Sequence, residues 1–170
     1  MKQLFIVSII FLILPDAVAQ DLNKIITDPE TDQNILYGYC DREGLTSGNF
    51  NSWFEPEYES YEVEENILSD IDRDFLSTCN ITVVLGTWCS DSQREVPRLF
   101  KILDYLNFPE KNLKLICVDH TKDAANTEVP ELSIVLVPTI IICTGEVELG
   151  RIIESPVESI EADLAGILGH

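Results

Sequence analysis

The chain has 170 residues, of which 45% are hydrophobic and 24% are charged, and this length and composition suit a single globular domain with an adequate core. Acidic residues number 30 against 11 lysines and arginines, which gives a formal net charge of −19 at pH 7. Such a charge excludes nucleic acid and anionic membranes as favoured partners, because both carry the same sign. It is compatible with neutral or basic clients, although a solvated acidic surface is the simpler explanation.

The first 19 residues have the pattern of a secretory signal peptide. A lysine at position 2 precedes an apolar block from Leu4 to Leu14, and Ala17-Val18-Ala19 is typical of a cleavage site. The apolar block is too short to span a membrane, which disfavours a permanent anchor. We therefore expect an exported chain that begins near Gln20 and has no stable membrane insertion after cleavage.

Residues 20–61 are predicted to form an N-terminal extension that packs on the main domain. Ile35 to Cys40 has the composition of a strand, and Asn51 to Tyr58 combines aromatic with acidic side chains. Clustered aromatic residues usually serve burial, so packing is the favoured interpretation. The alternative is a lid or client-binding segment.

The main domain is predicted over residues 62–170 and begins with a helix and a strand. Residues 62–77 predict one helix, because apolar side chains recur there every four residues at Val63, Ile67, Ile71 and Phe75. The β-branched run from Ile81 to Leu85 predicts a buried strand.

A cysteine follows this strand directly. Gly86 and Thr87 break the strand, Trp88 and Cys89 come next, and a helix is predicted from Ser90 to Asn107, with a kink at its internal proline. Cys89 therefore lies at a helix N-terminus, where free backbone N–H groups and the helix dipole favour a thiolate. This position makes Cys89 a candidate nucleophile.

The remaining elements complete an α/β pattern. Leu113 to Val118 predicts a strand parallel to the first, since a helix connects the two. Residues 119–131 are polar and irregular, with room for one helical turn. Residues 139–143 and 146–153 predict an antiparallel hairpin, and residues 157–168 an amphipathic helix. The order strand, helix, strand, loop, hairpin, helix indicates a mixed α/β sandwich.

Two motifs in this order resemble those of the thioredoxin superfamily. Trp88-Cys89-Ser90-Asp91-Ser92 resembles the W-C-x-x-C site, with a serine in place of the second cysteine. Glu95 and Pro97 match the x-E-x-P continuation found in membrane-anchored and periplasmic members. Val137-Pro138-Thr139, whose proline lies 49 residues after Cys89, resembles the cis-proline loop of the superfamily.

The resemblance covers roughly residues 66–169 and implies both a fold and a location. The fold is a thioredoxin-like three-layer α/β/α sandwich with a mixed sheet. The location is the periplasm or another extracytoplasmic space. The resemblance also implies a groove for extended peptides formed by Trp88, Val137, Pro138 and Thr139.

The departure at Ser92 limits the chemistry that the resemblance implies. In a dithiol site one thiolate attacks a client disulfide and a second thiol resolves the mixed disulfide. Here Cys89 is the predicted nucleophile, and the Ser92 hydroxyl is a predicted hydrogen-bond donor to its thiolate that cannot form a disulfide. Asp91 opposes the thiolate. Val83 stands where many thioredoxins carry a buried acid that serves the resolving thiol, so both parts of dithiol turnover are missing.

Three functions follow from these residues. The first is a thiol–disulfide oxidoreductase or isomerase that acts on protein or peptide clients through Cys89 alone. The second is a redox-inactive module that binds peptides in the same groove, and the third is a structural remnant. The paired motifs disfavour the third.

The other cysteines are Cys40, Cys79, Cys117 and Cys143, and the odd total leaves at least one free thiol. Those at 117 and 143 lie in apolar strand runs and are predicted to be inert core thiols. Cys40 and Cys79 remain candidates for resolving Cys89. Because no pair has C-x-x-C spacing and only His120 and His170 are histidines, we expect no metal and no cofactor.

Overall fold

The chain is organised around one five-stranded sheet, as seen in a computed structural model that describes residues 21–169. The predicted signal peptide lies outside the described residues. No helix within residues 21–169 has the length and apolar character needed to cross a membrane.

The sheet is mixed, with the strand order β3-β5-β4-β6-β7. Strands β4 and β5 run parallel, and the other neighbours run antiparallel. A separate two-stranded hairpin is formed by β1 and β2. The strands are β1 Ile25–Thr27, β2 Asn34–Leu36, β3 Gly38–Cys40, β4 Cys79–Leu85, β5 Leu113–Cys117, β6 Thr139–Thr144 and β7 Val147–Ile153.

The helices and strands follow the order of a thioredoxin-like α/β sandwich: β4, α5, β5, an irregular loop, the β6–β7 hairpin and α6. This confirms the predicted fold class. The helices are α1 Arg42–Leu45, α2 Asn51–Ser60, α3 Glu65–Leu68, α4 Arg73–Leu76, α5 Ser90–Leu106 and α6 Ile160–Leu168, with 3-10 turns at Glu110–Asn112 and Val129–Glu131.

The two faces of the sheet are covered differently, because successive strand residues point to opposite sides. Side chains from all six helices pack on one side, here called the helix face, against Ile81, Val83, Leu85, Leu115 and Cys117. On the other side, here called the site face, Val84, Ile116 and Val118 pack against residues of the irregular segment 119–136 and against Val137. That segment contains a single 3-10 turn, as predicted.

Helix α5 begins and ends close to the predicted residues. Cys89 is its N-cap, with extended backbone, and Asn107 ends it in the left-handed conformation at φ 55°. The helix runs through Pro97 as one element. Its buried stripe of Val96, Leu99, Phe100, Leu103 and Leu106 fixes it to the helix face.

Two predicted elements are each divided in the structure. The single helix predicted over residues 62–77 is wrong: α3 and α4 are separate turns, because the Asp72 carboxylate accepts a hydrogen bond from the Phe75 N–H and starts a new helix. The predicted strand from Ile35 to Cys40 is two strands, since Gly38 adopts φ +88° where the chain passes from the hairpin to the main sheet. Strand β3, from the predicted extension, is thus an edge of that sheet.

The aromatic residues of α2 pack against the core on the helix face, Phe54 fully and Trp53 and Tyr58 in part. Phe54 is buried and meets Phe100 of α5 edge to face, with ring centroids 5.5 Å apart. Arg98 of α5 pairs with Glu57 of α2 at 2.6 Å. Helix α2 therefore lies on the helix face and forms no lid over Cys89, which lies on the site face.

Candidate functional site

The thiol of Cys89 lies half-exposed at the N-terminus of α5. The Cys89 N–H donates to the Gly86 carbonyl at 2.9 Å, and the Gln93 N–H donates to the Cys89 carbonyl at the same distance. These bonds hold the cysteine at the junction of β4 and a 17-residue helix. A thiolate here faces the positive end of the helix dipole, as the sequence predicts.

The predicted cis-proline loop lies beside this thiol. The Val137–Pro138 peptide bond is cis, which confirms the prediction. The Cys89 thiol donates a hydrogen bond to the Val137 carbonyl with a distance of 3.2 Å between sulfur and oxygen. Two residues that are 48 positions apart in sequence thus form one site.

Backbone bonds on either side of the proline hold this loop in place. The Thr139 hydroxyl donates to the Leu136 carbonyl at 2.7 Å, and the Glu154 N–H donates to the Pro138 carbonyl at 2.7 Å. Val137, Pro138 and Thr139 are themselves buried. The accessible surface at this loop is therefore mainly that of the residues before it.

Those preceding residues form an apolar surface next to the thiol. Val135 is 75% exposed and Leu136 is 39% exposed, and both immediately precede Val137. Exposed apolar side chains that adjoin a reactive group are typical of a contact surface for another molecule. Sequence reasoning missed this pair, because neither residue belongs to a motif.

Ser92 has a structural partner at the end of β4. Its side chain is fully buried, and its hydroxyl oxygen accepts a hydrogen bond from the Gly86 N–H at 3.2 Å. The bond joins the first turn of α5 to the preceding strand. The predicted hydrogen bond from Ser92 to the Cys89 thiolate uses the hydroxyl proton, which this contact leaves free, and it stays a prediction.

The negative charge of Asp91 is paired within α5. The Arg94 guanidinium lies 2.9 Å from the Asp91 carboxylate and 2.6 Å from the buried Glu95 carboxylate. These bonds, chiefly the one to Glu95, raise the pKa of Arg94 and keep it charged. Because a cation adjoins Asp91, its opposition to a Cys89 thiolate is weaker than the sequence alone suggests.

Trp88 is held on three sides. Its indole N–H donates to the Val118 carbonyl at 2.9 Å, and its ring stacks on the His120 imidazole with centroids 3.8 Å apart and planes inclined by 22°. A Cβ atom at Gly86 would lie 2.6 Å from the indole, so only glycine allows this position. Trp88 is therefore a fixed wall of the site.

A buried carboxylate supports the histidine behind Trp88. His120 Nε2 lies 2.9 Å from an Asp28 carboxylate oxygen, an ion-pair distance, and this nitrogen has no hydrogen-bond partner within residues 21–169. Asp28 is inaccessible to solvent and accepts a 2.6 Å hydrogen bond from the Thr31 hydroxyl. That bond chiefly lowers the pKa of Asp28, with help from the Glu30 N–H and His120 and against the effect of burial.

Sequence reasoning also missed the pairing of Asp28 with His120. The proximity of Trp88 and His120 could have been predicted, because Trp88 follows β4 and His120 follows β5. The carboxyl ends of neighbouring parallel strands meet at one edge of a sheet. The position of Asp28, in the turn between β1 and β2, has no such signal.

The structure separates the other cysteines from Cys89. Cys40 and Cys79 lie in the helix-face cluster, whereas Cys89 packs on the site face. Cys143 pairs in register with Asn80 at the far end of β4, about 13 Å along the strand from Val84, which is next to the site. Neither Cys40 nor Cys79 is therefore placed to resolve a Cys89 disulfide.

Within the described part of the chain, no cluster of three or more histidine, cysteine, aspartate or glutamate residues has the geometry to hold a metal ion.

Comparison with known proteins gives structural neighbours alone. Neither a family model nor a curated protein matches the chain. The solved structures that resemble it include thioredoxin-2 of the malaria parasite, described as a component of its protein secretion machinery, with 22% identity and a TM-score of 0.41 over 55% of this chain and 84% of that one.

Two further neighbours have lower sequence identity. A Pseudomonas aeruginosa protein of unknown function has 17% identity and a TM-score of 0.44 over 70% of this chain and 79% of that chain. A malarial protein has 19% identity and a TM-score of 0.38 over 54% and 94%. The strand order of this chain, with α5 connecting the parallel strands β4 and β5, is itself that of a thioredoxin-like fold.

Proposed function

We propose that this protein is a monothiol thiol–disulfide exchange enzyme with Cys89 as its nucleophile and protein or peptide disulfides as its substrates. The observation that carries the proposal is the contact of 3.2 Å between the half-exposed Cys89 sulfur, at the start of α5, and the carbonyl that precedes cis-Pro138. A thiol in this position combines access, a helix dipole and a backbone acceptor for an extended client.

The reaction needs two exchange steps. The Cys89 thiolate attacks one sulfur of a client disulfide, forms a mixed disulfide with it and releases the other client sulfur as a thiolate, which takes up a proton. A second thiolate, from the client or from a small thiol, then attacks the client sulfur of the mixed disulfide and releases Cys89. The result is an isomerised client disulfide or one transferred to the small thiol, with no net oxidation.

The client binds, in this proposal, as an extended segment along Val137 to Thr139. Its backbone replaces the Cys89 thiol as partner of the Val137 carbonyl, and its apolar side chains contact Val135 and Leu136. Trp88, fixed by Val118 and His120, limits the groove on the other side. Ser92 supports the thiolate from within the helix.

We also propose that the protein works outside the cytoplasm, where client disulfides persist. The support is the N-terminal pattern of a charged residue, an apolar block and an A-x-A site. Mass spectrometry of the protein purified from its own cells tests this, with an N-terminus near Gln20 expected and an intact Met1 as the contrary result.

A quenched peptide disulfide and reduced glutathione test the exchange activity. We expect catalytic amounts of the wild-type protein to accelerate release of the fluorescent half, and Cys89→Ala to return the rate to that of glutathione alone. Cys143→Ser is the matched control, because Cys143 is also half-exposed but lies at the far end of the sheet, and it should keep the full rate. Acceleration that survives Cys89→Ala would overturn the proposal.

A second candidate is a peptide-binding module without turnover. It is favoured by the absence of a second thiol near Cys89 among residues 21–169 and by the apolar pair Val135 and Leu136 beside it. Two results distinguish a pure binding module from an exchange enzyme. The Cys89→Ala variant of a binding module still binds its clients, and the wild-type protein forms no covalent adduct with them.

A further inference from the structure

Two buried cysteines lie in contact on neighbouring strands of the main sheet. The sulfur of Cys40, in β3, is 3.0 Å from the sulfur of Cys117, in β5. The strand register sets Cys40 opposite Leu115 and Gly38 opposite Cys117, so the two cysteines are diagonal neighbours. Both belong to the helix-face cluster, with exposures of 6% and 0%.

We infer that Cys40 and Cys117 form a disulfide when the chain folds under oxidising conditions, and that this disulfide joins the N-terminal extension to the centre of the sheet. The two sulfurs need to approach by about 1 Å to reach bonding distance. The inference stands apart from the proposed function, since neither thiol approaches Cys89.

The position of the other cysteines makes this pairing selective. Cys89 lies on the opposite face of the sheet. Cys79 and Cys143 lie at the end of the sheet away from the site, on β4 and β6, two strands that do not neighbour β3. A disulfide between Cys40 and Cys117 therefore leaves Cys89 reduced and available for exchange.

The bond forms by oxidation with a small-molecule disulfide such as glutathione disulfide. One cysteine thiolate attacks the oxidant and forms a mixed disulfide, and the second cysteine displaces the glutathione thiol. The two protein thiols lose two electrons and two protons, which leave with two molecules of reduced glutathione. One molecule of glutathione disulfide is thus consumed for each protein disulfide that forms.

Burial sets when this reaction takes place. The interior position of Cys117, with Cys40 beside it, raises the pKa of the Cys117 thiol well above its ordinary value, which disfavours the reactive thiolate in the folded chain. We therefore expect the bond to form during folding, before β3 is covered. For the same reason, external thiols reach the finished bond slowly.

The cross-link also secures the support of the candidate site. The backbone N–H of Leu36, at the end of β2, donates to the Thr87 hydroxyl at 3.2 Å, and Asp28 in the same hairpin faces His120. Leu36 and Asp28, which make these contacts, both precede β3 in the chain. A covalent bond at Cys40 holds this segment against the sheet and so keeps His120 stacked on Trp88.

Refolding of the full chain tests the inference. The reduced, denatured protein is refolded with reduced and oxidised glutathione, then denatured, alkylated, digested without reductant and analysed by mass spectrometry. We expect one cross-linked peptide pair containing Cys40 and Cys117, with a mass about 2 Da below that of the reduced pair, while each of the other three cysteines carries either the alkylating reagent or glutathione. Alkylation of all five cysteines, or a disulfide between another pair, overturns the inference.

Variants and stability complete the test. Cys40→Ala should abolish the cross-link, whereas Cys143→Ser and Cys89→Ala should keep it. If Cys40→Ala does not fold, wild-type protein refolded with and without oxidant gives the same comparison. We expect the oxidised form to unfold at a temperature higher by about 5–15 °C, because a long loop is closed in its unfolded state. Identical unfolding temperatures would contradict the structural role.

Discussion

At the scale of single residues, Ser92 limits the chemistry that the proposed function allows. A cysteine at this position, one helical turn after Cys89, would resolve a mixed disulfide, and a serine cannot. The structure gives the serine a second role, because its hydroxyl satisfies the Gly86 N–H at the end of β4. The same atom therefore takes the place of a second thiol and joins the strand to the helix.

Ser92→Cys should convert the site to dithiol chemistry. The new thiol would lie one helical turn after Cys89, the spacing of a resolving cysteine, so mixed disulfides that accumulate on the wild-type protein should disappear. Non-reducing gels with a model peptide disulfide measure this. Ser92→Ala is the control: it should keep the adducts and lose about 1–3 kcal/mol of unfolding free energy, because the Gly86 N–H loses its partner. Adducts that persist in Ser92→Cys would argue against the assigned geometry.

Asp28 predicts a pH dependence of stability. Its pKa is lower in the folded chain than its ordinary value of 3.8, chiefly through the Thr31 hydroxyl. Such a carboxylate stabilises the fold above the unfolded pKa, and the contribution disappears as the pH falls through the folded pKa. Asp28→Asn should therefore be less stable than wild type near neutral pH, and the difference should shrink below about pH 3.8.

Urea unfolding of both proteins at several pH values measures this difference. Thr31→Ala should reproduce the effect in part, since it removes the largest cause of the pKa shift. A difference between Asp28→Asn and wild type that stays constant down to strongly acidic pH would show that the carboxylate acts through packing alone.

At the scale of elements, the helix face stabilises the fold independently of the site. Phe54 of α2 is buried against Phe100 of α5, and α2 lies on the side of the sheet opposite Cys89. Stability and exchange activity should thus be separable by mutation.

Phe54→Ala should lower the unfolding free energy by about 3–5 kcal/mol, the range for removal of a buried aromatic ring. Glu55→Ala, at the exposed neighbouring position, should change it by less than about 0.5 kcal/mol. Chemical denaturation measures both. Below the unfolding transition, Phe54→Ala should keep the reactivity of Cys89, and its loss would indicate that α2 supports the site after all.

The elements that the sequence predicts well are those with strong local patterns. The β-branched run of β4 and the apolar stripe of α5 are local features, and each appears as expected. The hairpin is also present, but its loop is Gly145-Glu146, one residue later than predicted, because Thr144 pairs with Val147. The prediction for residues 62–77 is wrong because their apolar spacing is helical, whereas the Asp72 cap that divides them is a competing side-chain bond. The sequence does not predict the break at Gly38, because the break arises where β2 joins the hairpin and β3 joins the main sheet.

At the scale of the whole molecule, the net charge of −19 predicts a preference among clients. Basic peptide disulfides should be exchanged about tenfold faster than acidic ones at low ionic strength, because the surface field attracts the former. The rates should converge in concentrated salt, which screens this field. Matched peptides of equal length and opposite charge provide the measurement, and equal rates at low salt would contradict a role for the charge.

The site itself is only partly predictable from the sequence. Cys89 and Pro138 belong to short motifs whose order identifies them, and the structure brings them together. Asp28 meets His120, and Cys40 meets Cys117 across 77 positions, through the packing of the N-terminal extension. Those contacts depend on register between distant segments, which local patterns do not encode.

In the proposed function, Cys89 is the one thiol within residues 21–169 of the folded protein that is poised for exchange. The most direct test treats the folded protein with a model peptide disulfide at less than one equivalent and maps the adduct by mass spectrometry. We expect a mixed disulfide on Cys89, formed well before any on Cys143. A first adduct on Cys143, or a folded protein that forms none, would contradict the claim.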